Sequence, residues 1–270
     1  MAGALEGMGA VVTGASRGIG AVIARRFAEE GATVVVTART VETPAAGGLP
    51  GTLTETAEAI RAAGGRAIAV PADLSRPADR QRLAAEAERA LGEIDILVSN
   101  AAVTYFTPVM NFTPKRYDLM FEVQVVGPFH LAQLAVPGMR DKGAGWILNI
   151  SSGAARHPAI PPNAFAGRGG TVYGMCKAAL ERFSTGLAAE LYNDNIAVNA
   201  LSPSRVVPTP GTVFHHLTTY DSPNAEPTSV MAEAALQLCS AEPKARTGMV
   251  TYSQQLLGEL GVAIPGPSAR

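Results

Sequence analysis

The stretch Gly9-Ala10-Val11-Val12-Thr13-Gly14-Ala15-Ser16-Arg17-Gly18-Ile19-Gly20 decides the fold. Residues 9–13 are an apolar run of strand length, a glycine-rich turn follows without a linker, and a helical apolar period opens at Ile19. Strand, glycine turn and helix in that order begin a βαβ unit. Gly14 permits the tight turn, Gly18 lets backbone amides approach a diphosphate, and Gly20 lets helix and strand pack closely. The positive end of the helix then faces the phosphate charge. This order points to a dinucleotide site, where glycines scattered in an ordinary turn would not.

Working outward, the alternation of short apolar runs with helical periods continues along the chain. Strands are expected at residues 9–13, 33–37, 67–70, 94–99, 146–150 and 196–201, with a last one near 249–252. Helices are expected at 19–30, 54–63, 78–91, 114–139 with a break, 172–191 and 229–239. Thr52 with Glu55 has capping-box spacing, and Ser75 before Pro77 and Asp79 reads as another helix start. Residues 1–270 are expected to form a single doubly wound, Rossmann-like α/β domain with a mostly parallel seven-stranded sheet and helices on both faces. Three segments break the rhythm: 40–51, 153–170 and 202–227. All fall at the carboxyl ends of strands, where open α/β sheets bind ligands.

Composition narrows the function. Of 270 residues 47% are hydrophobic and 17% charged, so a large core is available and a disordered chain is excluded. With 22 basic against 23 acidic side chains and a formal charge of -1, no polyanion-binding surface is indicated, and nucleic acid is not an expected partner. The helical stretch of residues 123–139, free of Asp, Glu, Lys and Arg, holds Pro128, His130 and Pro137, so no membrane span is expected. Residues 1–9 lack the basic start of a secretion signal. Cys176 and Cys239 make no disulfide framework and fit a reducing cytoplasm.

A site selecting NAD usually carries an acid at the end of the second strand, about 20 residues past the glycines. Here that place reads Thr37-Ala38-Arg39, with no carboxylate. Arg39 and Arg17 are suited to cradle a 2′-phosphate, so NADP(H) is the expected cofactor and NAD the alternative.

Tyr173 and Lys177 lie four apart on a helix whose Val172, Cys176, Ala179, Phe183, Leu187 and Leu191 form an apolar stripe. Both side chains therefore share a face. An ammonium beside a phenol favours the phenolate and lowers its pKa from about 10, as proton exchange with an alcohol or carbonyl oxygen requires.

In these residues the chain resembles the short-chain dehydrogenase/reductase family over almost its whole length. The family's glycine motif is matched by Thr13, Gly14, Gly18 and Gly20, and its acid at the adenine by Asp73 in Ala72-Asp73-Leu74. The Asn-Asn-Ala-Gly signature appears as Ser99-Asn100-Ala101-Ala102. The catalytic serine matches Ser152 in Asn149-Ile150-Ser151-Ser152, the tyrosine and lysine match Tyr173 and Lys177, and residues 196–203 resemble the segment leading to the nicotinamide end. The resemblance implies Ser152, Tyr173, Lys177 and Gln124 as catalytic residues. It implies cofactor contacts from Gly14, Ser16, Arg17, Gly18, Ile19, Gly20, Arg39, Asp73, Leu74, Asn100, Ala101, Ala102, Ile150, Tyr173, Lys177, Pro203, Ser204, Val207 and Thr209. Tyr173 would exchange the proton, Lys177 would lower its pKa and hold the nicotinamide ribose, and Ser152 would hydrogen-bond the substrate oxygen. An NADP(H)-dependent oxidoreductase interconverting a carbonyl compound and its alcohol follows. The rival reading is a dinucleotide-sensing binding protein without turnover.

Several positions depart from the family pattern. Gln124 stands where an asparagine usually helps link the lysine to solvent. Ser204 replaces the glycine after Pro203, the threonine that follows is displaced to Thr209, and the usual glycine pair is absent after Thr251-Tyr252. Residues 156–170 lengthen the interval between Ser152 and Tyr173 and are expected at the mouth of the site.

Ile160, Pro161, Phe165, Val213, Phe214, Leu217, Tyr105 and Phe106 are candidate walls of an apolar substrate pocket. Leu131, Leu134 and Val136 on one helix, with Phe183, Leu187 and Leu191 on the other, suggest surfaces that build a homodimer or homotetramer. His157, His215 and His216 lack ligand spacing, so no metal is expected. Cys176 on the apolar stripe reads as a packed thiol, and the absence of a Gly-x-Ser-x-Gly elbow disfavours a hydrolase.

Overall fold

In a computed structural model, described for residues 2–42, 48–162 and 167–266, the glycine turn lies in the middle of one sheet. The strands are β1 (Gly9–Thr13), β2 (Thr33–Thr37), β3 (Arg66–Ala69), β4 (Ile96–Ser99), β5 (Gly145–Ile150), β6 (Ile196–Ser202) and β7 (Val250–Tyr252). Their order is β3-β2-β1-β4-β5-β6-β7, and every neighbouring pair is parallel. The order reverses between β1 and β4, which opens a crevice above the carboxyl end of β1.

The central strands are buried on both faces, which explains why they read as unbroken apolar runs. Period two sends Ala10 and Val12 into one core with Val34, Val36, Ile96 and Val98. Val11 goes into the other with Val35, Leu97, Ile147 and Val198. Helices α1 (Gly18–Glu29), α2 (Leu53–Ala62) and α8 (Thr228–Cys239) cover the first face; α3 (Pro77–Leu91), α5 (Gly127–Lys142) and α6 (Thr171–Glu190) cover the second. Thr52 and Glu55 form the expected capping box on α2. Ser75 does not cap α3: Arg76 is the N-cap, and the Ser75 hydroxyl donates to Asp73 at 2.8 Å.

The expected break in the long helix is a π-turn, Glu122–Val126, between α4 (Pro114–Phe121) and α5. Pro128 has no N–H for the carbonyl of Gln124, so the regular ladder fails at that point. By length and composition alone the run Pro114–Lys142 is able to cross a membrane, yet half of it is buried inside the fold, against α3, β4 and β5. Two short helices escaped sequence reading, α7 (Pro210–Phe214) and α9 (Ser253–Glu259).

The surface assigned to assembly needs correction. Leu131, Val136 and Leu191 belong to this chain's own core, because the helices turn those residues onto β4, β5 and β6. The large apolar residues that stay exposed along these helices are Tyr117, Val126, Phe129 and Met175, with Phe129 edge-on to Phe183 at 5.9 Å.

Candidate active site

Thr13 and Asn100 build the floor of the crevice. The Thr13 hydroxyl donates to the Val98 carbonyl at 3.2 Å and accepts from the N–H groups of Asn100 and Ala101. Asn100 Nδ2 returns bonds to the carbonyls of Thr13 and Gly14 at 2.9 and 3.2 Å. The turn is thereby tied to the end of β4. Gly14 sits at φ +66°, and a Cβ there would come within 2.8 Å of Ala101 Cα. A side chain at Gly18 would meet Thr209 Cγ2 at 3.1 Å.

Above this floor lies a cleft of 330 Å³. Of the residues expected to contact a cofactor, Gly14, Ser16, Arg17, Gly18, Ile19, Arg39, Asp73, Leu74, Asn100, Ala101, Ala102 and Thr209 line it. Helix α1 opens there with no side chain capping its first amides and no acid in its first turn, so its N–H groups are available to a diphosphate. The donor set and the space above the glycines fit a dinucleotide. Gly20, Ile150, Pro203, Ser204, Val207, Tyr173 and Lys177 do not line this cleft. Gly20 serves packing, since a Cβ there would meet Asn100 Nδ2 at 2.4 Å. Val207 is buried, and Ser204 turns its N–H and hydroxyl toward Ser253 and Gln254.

The two arginines are not equivalent. Arg17 donates to the carbonyls of Leu49 and Gly51 at 2.7 and 2.9 Å and to Thr40 Oγ1 at 3.2 Å, fastening the loop after β2 over the cleft. Burial and the neighbouring Arg39 charge lower its pKa. Arg39 is exposed and makes no hydrogen bond or ion pair among the described residues. Residues 43–47 of that loop lie outside them.

Beside the cleft, α6 carries Tyr173 and Lys177 one turn apart. The Tyr173 hydroxyl lies beside the Ser152 side chain, whose Oγ accepts from the Ala154 N–H at 3.2 Å. Lys177 is buried; its Nζ donates to the Ile150 carbonyl at 2.8 Å and lies 5.7 Å from the Tyr173 ring centre. Burial pushes the Lys177 pKa down to about 8. It also pushes the Tyr173 phenol up, opposed by the neighbouring Ser152 hydroxyl. The expected lowering of the phenol by the ammonium is therefore not what this geometry gives: Lys177 is directed at a backbone carbonyl, and desolvation of the tyrosine outweighs the other influences. Gln124, 1% exposed in the π-turn against α6, donates from Nε2 to the Val103 carbonyl at 2.9 Å. Its Oε1 is buried with no hydrogen-bond partner among the described residues.

Sequence reasoning named Phe106 without its partners. Its ring is edge-on to Tyr173 at 5.9 Å and to His215 at 5.2 Å, and His215 is in turn edge-on to Phe214. Ile160 is 86% exposed, so it is no wall of an enclosed pocket. Phe165 lies outside the described residues. The lengthened segment is held at its start by Arg156 stacked 4.1 Å from the Tyr252 ring centre, and at its end by a Thr107 N–H bond to the Gly169 carbonyl. Both thiols are free and buried; burial raises Cys176 to about 11, so it is inert at neutral pH. Among the described residues no three His, Cys, Asp or Glu side chains gather as metal ligands.

An all-parallel doubly wound sheet with a glycine cradle at its switch point defines a dinucleotide-binding α/β protein. Residues 9–214 match the short chain dehydrogenase family model, and the chain belongs to the short-chain dehydrogenase/reductase family of oxidoreductases. It is 33% identical over 263 residues to hydroxysteroid dehydrogenase-like protein 2 of Xenopus tropicalis, covering 96% of this chain and 60% of that protein's length. It is 37% identical over 202 residues to a hydroxynaphthalene reductase-like protein of Metarhizium brunneum, covering 75% and 69%. Among solved structures it resembles a metagenomic short-chain oxidoreductase in complex with NADP, with 30% identity, TM-score 0.74 and coverage of 92% and 98%. L-Sorbose reductase from Gluconobacter frateurii, complexed with NADPH and L-sorbose, gives 29% identity, TM-score 0.79 and coverage of 93% and 97%.

Proposed function

We propose that the chain is an NADP(H)-dependent reductase that interconverts an apolar ketone or aldehyde with its alcohol. The observation that carries this reading is the juxtaposition of Ser152 and Tyr173 beside the cleft, with Lys177 one helical turn away. The cofactor would supply or accept the hydride. Ser152 and the Tyr173 hydroxyl then hold the substrate oxygen, and Tyr173 donates the proton to it during reduction. A phenol whose pKa burial raises stays protonated at neutral pH and is suited to that acid role. Lys177, fixed on the Ile150 carbonyl, would hold the nicotinamide ribose with its remaining N–H groups. Phe106 supplies an aromatic wall against Tyr173, which supports an apolar substrate.

Arg39, just past β2 and without a hydrogen-bond or ion-pair partner among the described residues, supports NADPH over NADH. Exposed Val126, Phe129 and Met175 support assembly into a homodimer or homotetramer. The two free thiols accord with a cytoplasmic setting. The deciding experiment follows NADPH consumption against a panel of ketones and aldehydes with the parent and a Tyr173→Phe variant. Consumption that depends on Tyr173 is expected; cofactor binding with no consumption on any carbonyl would establish the sensing protein instead.

A further inference from the structure

Two departures from the family pattern, far apart in sequence, meet in space. Ser204 stands where a glycine usually follows Pro203, and Ser253-Gln254 occupy the region after β7 where a glycine pair is usual. Ser204 Oγ lies 3.3 Å from Ser253 Oγ and accepts the Gln254 N–H at 3.0 Å, while the Ser204 N–H donates to Ser253 Oγ at 3.1 Å.

Glu226 joins them. It is 0% exposed. Its Oε1 accepts from Ser253 Oγ at 2.5 Å; its Oε2 accepts from Gln254 Nε2 at 2.8 Å and from the Ser204 N–H at 3.2 Å. The Arg205 N–H lies close to the same carboxylate, and the Glu226 N–H bonds the Val206 carbonyl at 3.0 Å. A buried carboxylate is costly unless hydrogen bonds surround it, and here they come from both ends of one excursion and from the start of α9. Burial raises the Glu226 pKa against these bonds.

The excursion so closed, residues 205–225, carries two groups at the site. Thr209 packs on Gly18 in the cofactor cleft, and His215 packs on Phe106, which touches Tyr173. We propose that Glu226 is a positioning residue: by clamping the neck of this excursion to α9, it holds Thr209 over the glycine turn and His215 against the aromatic wall beside Tyr173. The kinetic part rests on the reductase reading above; the clamp itself does not.

The test is amide hydrogen exchange on the full chain without cofactor, together with steady-state kinetics. The Ser204 N–H and Gln254 Nε2 share one carboxylate oxygen and the Ser253 hydroxyl takes the other, so Glu226→Ala leaves all three without their acceptor. Exchange across 205–225 should rise at least about tenfold, as for loss of a hydrogen bond to a charged group, with β1, β4 and β5 unchanged. KM for cofactor and carbonyl should rise about fivefold with kcat within about twofold, the mark of lost positioning. Glu226→Gln keeps one acceptor oxygen for the two donors and can donate to the Ser253 hydroxyl, so it should recover most of the protection. If Glu226→Ala fails to fold, Gln254→Ala removes one bond and should give a smaller rise confined to the same residues. Exchange in 205–225 equal to that of the parent, or raised equally in the core strands, overturns the clamp. A parent protein inert toward every carbonyl overturns the reductase reading and leaves the exchange result to decide the clamp.

Discussion

Lys177 Nζ lies 2.8 Å from the Ile150 carbonyl oxygen and twice as far from the centre of the Tyr173 ring, so its position is set by the backbone of β5. Burial holds its pKa at about 8, below the ordinary 10.5. The unfolded chain therefore binds more protons between those values. The cost of the buried ammonium is fully present below about pH 8 and is relieved as pH rises toward about 10.5, a change of about 3 kcal/mol in favour of the fold. Lys177→Met loses one hydrogen bond at every pH and abolishes this slope. In urea unfolding, the parent's stability relative to the variant should improve by about 3 kcal/mol between about pH 7 and pH 10.5. A difference that stays constant with pH would show that the ammonium is not desolvated.

Tyr173→Phe removes the hydroxyl and keeps the ring against Phe106. Carbonyl reduction should fall by about 10²–10⁴, the usual contribution of a positioned acid, with the NADPH dissociation constant within about twofold of the parent's. Reduction that persists undiminished would remove Tyr173 from the reaction.

Arg17 is committed to Leu49 and Gly51, so the proposed preference for NADPH falls to Arg39. The parent should bind NADPH at least about tenfold more tightly than NADH, about 1.4 kcal/mol, and Arg39→Asp should reverse the order by repelling a 2′-phosphate and accepting a ribose hydroxyl. Equal dissociation constants for the two cofactors in the parent would refute this.

Gly20→Ala places a methyl 2.4 Å from Asn100 Nδ2 and 2.6 Å from the Gly14 carbonyl. Backbone on one side and a doubly bonded amide on the other cannot yield, so the variant should lose about 1–3 kcal/mol and bind cofactor more weakly. A melting temperature equal to the parent's would mean that the turn has slack.

Phe129 is exposed beside Phe183 on the face suited to a second copy. Light scattering at micromolar concentration should give a dimer or tetramer mass for the parent and a monomer for Phe129→Asp. A monomeric parent contradicts the proposed assembly.

The strands and long helices were legible because their signals are local. Residues 9–13 and 33–37 alternate with helical periods, and Thr52 and Glu55 mark a helix start within four residues. Helix α7 is too short to show a period, and α9 follows β7 without a connecting loop, so neither announces itself. In the site, spacing by one turn made Tyr173 and Lys177 a pair, and the strand–turn–helix order marked the glycine cradle. Glu226 was missed because an acid between Ala225 and Pro227 carries no pattern. Its partners arrive from residues 204, 253 and 254 only once the sheet has formed. The opposed pKa directions of Tyr173 and Lys177 were out of reach for the same reason, since burial is a property of the packed chain.

The bonds from Thr13 to Val98, Asn100 and Ala101 also impose an order of assembly. Strand β1 pairs early with β2, but its other edge waits for β4, more than eighty residues further on. During synthesis from the amino end, the Ala10–Val12 edge is therefore open while β2, β3 and two helices are already present. An unpaired apolar edge recruits other strands. Until residues 96–101 are in place that edge has no partner in the sheet, a consequence of the strand order and independent of how stable the finished molecule is.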